Sequence, residues 1–400
     1  MKKILIVIHD MKIGGAQKSL LSFLKGLYES GRADAYEIHL LVSRPGGEFR
    51  KGIPAQVKIL EPSPELYWLG APLGLELLRK HFSLRGLMGE IRWILKKRFG
   101  RFPEHWNDAQ KMWDCWKNLI PAQPEDYDVA VAYIDGYPNY YVMDKVTAKR
   151  KVLWFHSEYQ KHGYSPEYDA PYLDACDAMV TISEKCRDCL SEAFPEYRDK
   201  MHVLENITLS SDVTARSHMD GAEEFDGFSG LKLLTVGRLH PLKGADLAVE
   251  AAKALKEAGV SFRWLMVGDG SERERLREMI GNFGLEDCVF LLGSRENPYP
   301  YMARCDILVQ PSRVEGRSIV LDEAKLLSKP IVVTNYATVR DAVVHGETGW
   351  IVEISGQGIC DGIRTVAENT ALREHMVACV QALHRGNEEE VTRYVEIMFR

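Results

Sequence analysis

Long hydrophobic runs are missing from this 400-residue chain: no stretch approaches the roughly 18 consecutive apolar residues of a membrane-spanning helix. The apolar run at 4–8 is shorter than the about 7 to 15 residues of a signal-peptide core, and His9 and Asp10 end it. Positive charge is not in excess either. A formal net charge of −6 argues against a nucleic-acid binder, which would be basic. Residues 1–205 carry 29 Lys+Arg and 28 Asp+Glu, which leaves −7 for the remainder, so the first half is the better host for an anionic partner. Cysteine is sparse, at eight residues, too few for a disulfide scaffold, and a reducing compartment is expected. Cys186-Arg187-Asp188-Cys189 is the only close CxxC pair. A structural zinc site needs a second pair at suitable spacing, so these are expected to be ordinary helix cysteines. The cytoplasm is the expected location, with the inner face of the membrane left open by a basic helix discussed below.

What remains is ordinary globular composition, 46% hydrophobic and 27% charged, in a chain long enough for two domains. Residues 3–8 form a short continuous apolar run, as in a strand buried on both faces of a parallel sheet. Gly14-Gly15 follows, and then Leu20, Leu21, Phe23, Leu24 and Leu27 fall at helical spacing. Strand, glycine loop and helix make half of a βαβ unit, whose loop either turns tightly or brings backbone N–H groups to a ligand. Further strands are expected at 36–42, 57–60, 128–133, 151–155, 178–182 and 201–204, with helical patterns between the later ones. Residues 1–206 therefore read as a doubly wound α/β domain. Asp126-Tyr127-Asp128 has the outline of an acidic metal triplet but opens a buried-looking strand and reads as structural.

Within this domain Leu84, Leu87, Met88, Ile91 and Leu95 make an apolar helix face, and residues 79–101 carry eight Lys/Arg against one Glu. Packing of that face into its own domain is the expectation, and contact with an anionic membrane surface is the alternative. Trp106, Trp113 and Trp116 follow and read as core, or as the lining of a groove.

Residues 207–229 lose periodicity and read as a linker. A second alternating series then places strands at 232–236, 262–267, 289–292, 307–310, 331–334 and 350–353. Residues 230–384 are expected to be a second doubly wound domain, and 385–400 a helix returning to the first.

Chemistry concentrates after strands of this second series. Arg238 and Lys243 stand in the loop between its first strand and first helix, where a bidentate Arg and a point-charge Lys suit a diphosphate. Gly268-Asp269-Gly270 lacks the third glycine of a dinucleotide fingerprint. Glu315 and Glu323 are separated by seven residues across a loop-to-helix junction. Ser318 is the expected N-cap of a helix over 319–328, whose positive end can hold phosphate. Side chains tilt toward a helix N-terminus, so Glu323 is expected to reach the same pocket and bind a ribose diol. Glu315 is expected beside the reacting centre. His156 lies just past the strand at 151–155, where open α/β sheets bind ligands, although a structural histidine fits that sequence equally. The expected architecture is a cleft between two Rossmann-like domains, a common ligand site.

The combination and order of Gly14-Gly15, Val180 to Glu184, Val236 to Leu239 with Lys243-Gly244, Val267 to Gly270, Asp306 to Ser312 and the Glu315/Glu323 pair resemble the family 4 retaining glycosyltransferases of the GT-B fold. The region from Asn297 to Asn335 resembles bacterial enzymes that build surface polysaccharides. The resemblance implies two facing Rossmann-like domains, the first on the acceptor side. It implies transfer of a sugar from a nucleoside diphosphate, UDP foremost, to a hydroxyl of a glycan or lipid-linked acceptor with anomeric configuration retained, and no metal or other cofactor. Carried over by position, it places Arg238 and Lys243 on the diphosphate, Glu323 on the ribose, Glu315-Gly316 at the sugar, backbone amides at Ser318 and Ile319 on phosphate, His156 on the sugar, and Gly15 by phosphate or acceptor. Many members have Phe-Gly where this chain has Arg317-Ser318, a departure at the donor-sugar pocket. A nucleotide-sugar epimerase on the same fold, or a catalytically silent subunit supporting a partner, are the rival readings.

Overall fold

The computed structural model describes residues 1–44, 46–69, 79, 81–100, 102–316, 318–383 and 386–400. Lys80, Arg101, Arg317 and the expected boundary at 384–385 lie outside the described residues. The chain divides into two compact units, residues 1–207 with 389–400, and residues 208–388.

Unit 1 is built on a seven-stranded sheet in the order β3-β2-β1-β4-β5-β6-β7. Its strands are β1 (Lys2–Ile8), β2 (Tyr36–Val42), β3 (Lys58–Leu60), β4 (Asp126–Ala132), β5 (Thr147–Phe155), β6 (Ala178–Thr181) and β7 (Met201–Val203). Every recorded pairing is parallel. The last five residues of β1 are all buried, which only a strand covered by helices on both faces requires. β5 starts four residues earlier than its apolar run suggests. Lys149 and Arg150 hide this part from a hydrophobic pattern, yet it pairs with β4, and Lys149 Nζ lies 2.7 Å from Asp128 Oδ1. The Asp128 carboxylate thus serves the strand, since its Oδ2 also accepts from the Lys3 amide at 2.8 Å.

Unit 2 carries a six-stranded sheet, β10-β9-β8-β11-β12-β13. These strands are β8 (Leu231–Val236), β9 (Phe262–Val267), β10 (Val289–Gly293), β11 (Ile307–Gln310), β12 (Ile331–Thr334) and β13 (Trp350–Val352), again paired in parallel. In both sheets the chain winds outward from one strand, then returns to that strand's other side and winds the opposite way. The reversal lies between β1 and β4 in unit 1 and between β8 and β11 in unit 2. Loops that leave such a pair at their carboxyl ends diverge and open a crevice, the usual ligand position of doubly wound sheets.

Of the segment read as a linker, residues 208–229 belong to unit 2. It contains helix Ser210–Ser217 and a short turn at Glu223–Phe225, and Val213, Ala222 and Phe225 are buried in the core beside Tyr299 and Met302. Three well-spaced apolar residues among Ser, Asp and Glu give too weak a period to read, yet they suffice to anchor the segment. The C-terminal helix Glu390–Phe399 belongs to unit 1, where Tyr394 packs on Phe23 and Trp154 and donates to the Glu205 carbonyl at 2.9 Å.

Helix Leu84–Phe99 reverses the expected orientation. Ser83 caps it, accepting from the Gly86 amide at 3.1 Å and donating to Glu65 Oε1 at 2.6 Å. The residues buried on this helix are Gly86 and Gly89, not the leucine-rich stripe. A Cβ on either would lie 2.8 Å from the indole of Trp68 or Trp116, so the absence of side chains is what lets the helix lie on the body. Of the expected apolar face, Leu84, Met88, Ile91 and Leu95 point to solvent, while Leu87 packs partly buried against the core. Trp113 and Trp116 are core, whereas Trp106 joins Tyr168 and Tyr172 along an open cleft of about 500 Å³. Cys186 and Cys189 are free thiols on helix Glu184–Ala193.

Candidate active site

Two loops of unit 2 meet at the β8/β11 reversal, 237–244 and 311–316. Three devices hold them together. Gly244 has φ +67°, and its Cα approaches so close to Pro311 that a Cβ would sit 2.0 Å from the Pro311 carbonyl oxygen. The Arg313 amide donates to the Leu242 carbonyl at 2.9 Å. The Arg313 guanidinium then forks onto Asp246, Nη1 to Oδ1 at 2.7 Å and Nη2 to Oδ2 at 2.9 Å, a bidentate pair with geometric specificity. Burial would raise the Asp246 pKa, but Arg313 and Arg275 outweigh it and hold the carboxyl below its ordinary range.

This clamp brings Lys243 to Glu315. Lys243 Nζ lies 2.6 Å from Glu315 Oε2, while the other carboxylate oxygen accepts from Ser312 Oγ at 2.7 Å and Gln310 Nε2 at 3.1 Å. The Glu315 side chain is only 8% exposed, so an ionised carboxylate there needs these three donors. Its backbone is pinned as well, the carbonyl accepting from Thr338 Oγ1 at 2.9 Å. Lys243 keeps further N–H donors and 30% side-chain exposure, enough to reach a ligand while still paired. Arg238, one turn of loop away, is exposed and makes no ion pair among the described residues. Gly268 and Gly270 are occupied structurally: a Cβ on either would meet the carbonyl of Gly237 or Leu239 at 1.8 or 2.3 Å, so this pair of glycines sets the Arg238 loop against its neighbour.

One expectation needs correction. Ser318 precedes helix Ile319–Leu326 but makes no capping bond; its hydroxyl instead donates to Gln310 Oε1 at 2.8 Å. Gln310 therefore receives from Ser318 and gives to Glu315, linking the helix start to the acid. The helix end keeps backbone N–H groups without a side-chain cap, which suits an anion. Glu323 is completely buried, and its Oε1 accepts from Tyr299 Oη at 3.2 Å. Gly316 is half-buried beside Glu315. Sequence reasoning missed Gln310, Ser312, Arg313 and Tyr336. Tyr336 is buried near Glu315, and burial first, then that carboxylate, pushes its phenol well above the ordinary value. Polar residues ending a buried strand, as in Gln310-Pro311-Ser312, were the available signal.

In unit 1 the loops leaving β1, β4 and β5 are neighbours. Gly15 is exposed as the first residue of helix Gly15–Glu29, and Asp10 accepts from the Lys12 amide and from Gln17 Nε2, both at 3.1 Å. Ser157 donates to Asp135 at 2.8 Å. His156 lies against the Tyr133 ring, centroids 5.3 Å apart, with both ring nitrogens buried and no well-formed hydrogen bond among the described residues. Burial depresses its pKa to about 4 although Asp135 and the Tyr133 backbone pull it upward, so the imidazole is neutral at physiological pH. The ring stands at the carboxyl end of β5, the side on which doubly wound sheets bind ligands.

That depression fixes a pH dependence. In the unfolded chain the imidazole takes up a proton below its ordinary value of 6.5, while in the folded chain it resists until about 4. Between these values the unfolded state binds more protons, so stability is complete above about pH 6.5 and falls as pH drops, by roughly 3 kcal/mol in all. Urea unfolding of the wild type and His156→Phe at pH 7, 5.5 and 4 should show the wild type losing more by this margin. Parallel losses in the two would remove His156 as the cause.

Comparison with known proteins fits this geometry. Residues 229–380 match the family model described as glycosyl transferases group 1. The matched residues all lie within unit 2. Among curated relatives, the amylovoran biosynthesis glycosyltransferase AmsK of Erwinia amylovora is 32% identical over 129 residues, 30% of this chain and 32% of that protein. A Campylobacter jejuni N-acetylgalactosaminyltransferase acting on a diphospho-undecaprenol-linked sugar is 33% identical over 36% of this chain and 39% of its own length. The chain thus spans about a third of the length of these relatives. Solved structures align over nearly the whole chain. Anabaena Alr3699/HepE in complex with UDP and glucose covers 99% of this chain and 98% of its own at 17% identity, with a TM-score of 0.68. A Staphylococcus aureus TarM mutant in complex with UDP gives 0.67 at 15% identity over 100% of both chains. At that identity the likeness establishes the fold, which is GT-B with two Rossmann-like domains. No helix among the described residues is long and apolar enough to cross a membrane.

Proposed function

We propose that this chain transfers a sugar from a nucleoside diphosphate, UDP first, to a hydroxyl of a glycan or lipid-linked acceptor in cell-surface polysaccharide synthesis, with retention at the anomeric carbon. The observation that carries the proposal is the Lys243–Glu315 pair, clamped between the two loops at the unit 2 reversal beside an uncapped helix start. AmsK and the Campylobacter enzyme support the acceptor class by their names, and HepE and TarM support UDP by their bound nucleotide.

Arg238, the spare donors of Lys243 and the amides of Ser318 and Ile319 bind the diphosphate and stabilise the charge it gains on leaving. The bond from the anomeric carbon to the phosphate oxygen breaks, the acceptor oxygen forms its bond on the same face, and the departing phosphate takes the acceptor proton. Glu315 faces the sugar and steadies the positive charge that develops there. Glu323, on helix Ile319–Leu326 and bonded to Tyr299, is the ribose contact in this scheme. His156 is the sugar contact of unit 1, and Gly15 its contact for phosphate or acceptor. No resident cofactor enters this scheme.

Titration calorimetry with UDP, GDP and ADP sugars tests the donor assignment. UDP-sugar should bind within about 1 μM to 1 mM, the range usual for enzyme substrates. Arg238→Ala should weaken it by about tenfold or more, as expected for a lost charge-assisted bond. Absence of binding by all three would end this reading.

A further inference from the structure

Of thirteen large apolar side chains exposed among the described residues, seven lie between 82 and 99. Leu84, Met88, Ile91, Leu95 and Phe99, exposed by 48% to 75%, recur every three or four residues along helix Leu84–Phe99. At 3.6 residues per turn they share a stripe roughly 80° wide. Phe82 and Ile94 extend it at one end and one edge. The opposite face, Gly86, Gly89 and Trp93, is the one that meets the body, on Trp68, Trp116 and Phe102. A helix packed by its glycines with its leucines outward is the reverse of a helix that serves a core.

The charges follow the stripe. Arg85, Arg92 and Lys96 run along one border and Arg98 stands on the other, while Glu90, the helix's one acid, faces away from the stripe. Arg92 and Lys96 are partly held by Asp114, the Lys96 ammonium at 2.9 Å, but Arg85, Lys97 and Arg98 are exposed. We propose that this helix docks unit 1 onto an anionic phospholipid surface, lying in the interface plane with the stripe Leu84, Met88, Ile91, Leu95 and Phe99 among the acyl chains and the bordering cations at the phosphates. Long basic side chains at the edge of an apolar stripe keep their stems in the apolar layer and their charges at the headgroups. The border charge decides the occupant. In a two-fold contact with a second copy the same patch meets itself, so Arg85 and Arg98 would face like charges, which an anionic headgroup layer neutralises. The proposal does not depend on the glycosyl-transfer reading.

Cosedimentation of the full chain with vesicles provides the test. Phosphatidylglycerol-containing vesicles should bind it, pure phosphatidylcholine vesicles should bind it far less, and added salt should weaken binding. Ile91→Glu with Leu95→Glu should reduce binding by about tenfold or more. Arg85→Glu with Arg98→Glu should remove the preference for anionic lipid. All four side chains are exposed, so thermal unfolding should be unchanged and a folding defect is distinguishable from lost docking. No binding to anionic vesicles, or equal binding by the Ile91/Leu95 variant, would overturn the proposal. So would a concentration-dependent dimer, abolished by the same variant, in a chain that ignores vesicles.

Discussion

Glu315→Gln should lower sugar transfer by about 10²- to 10³-fold, the usual cost of removing one preorganised electrostatic group from a reacting centre, while UDP affinity stays within a few-fold of wild type. The substitution is nearly isosteric. Ser312 and Gln310 can still donate to the amide oxygen that replaces Oε1, so the loop's local bonds largely survive. What disappears is the negative charge beside Lys243. Lys243, freed of its partner, remains available to the diphosphate, so nucleotide binding should hold or tighten. Steady-state transfer from UDP-sugar, calorimetry with UDP and thermal unfolding together separate the roles. Loss of turnover with retained UDP binding places Glu315 at the sugar. Lost UDP binding with a lowered melting temperature would make it a strut for the Lys243 loop. Full transfer activity in the variant would remove its catalytic role altogether.

Much of this arrangement is visible in the sequence because parallel strands advertise themselves. Runs such as Ile307 to Gln310 and Ile331 to Thr334 are buried throughout, so hydrophobicity alone marks them. The loops that follow carry Arg238, Lys243 and Glu315, and strand–loop–helix alternation places those residues at the sheet's carboxyl edge before any coordinates are known. Partnership is harder to read. Lys243 and Glu315 are 72 residues apart and meet because β8 and β11 are adjacent, a fact of strand order rather than of local pattern. Ser318 differs from expectation for the same reason: Gln310, on another element, offers a bond that outcompetes the local cap. Helix Leu84–Phe99 shows the converse failure. Its period is correctly helical, but periodicity reports two faces without saying which is inside. The small residues Gly86 and Gly89, three apart on one side, carry that information.

Gly244→Ala should destabilise unit 2 by roughly 3 kcal/mol and weaken UDP binding at the same time. Two costs add at this position. An alanine at φ +67° gives up the conformational freedom that glycine has there, and its methyl would lie 2.0 Å from the Pro311 carbonyl oxygen, backbone against which no side chain can rotate away. Relief requires the loops 237–244 and 311–316 to part. Parting them stretches the Arg313–Asp246 fork and moves Lys243 from Glu315, so the stability loss and the functional loss share one displacement. Thermal unfolding should fall by about 6 to 12 °C, given 2 to 4 °C per kcal/mol for a domain of this size. Gly259→Ala is the control: Gly259 also has positive φ, +73°, but a Cβ there meets nothing within 4 Å, so it should show only the conformational part, about 1 kcal/mol, with UDP binding intact. Equal effects from the two substitutions would mean that backbone conformation alone, and not the close approach to Pro311, fixes the loop that carries Lys243.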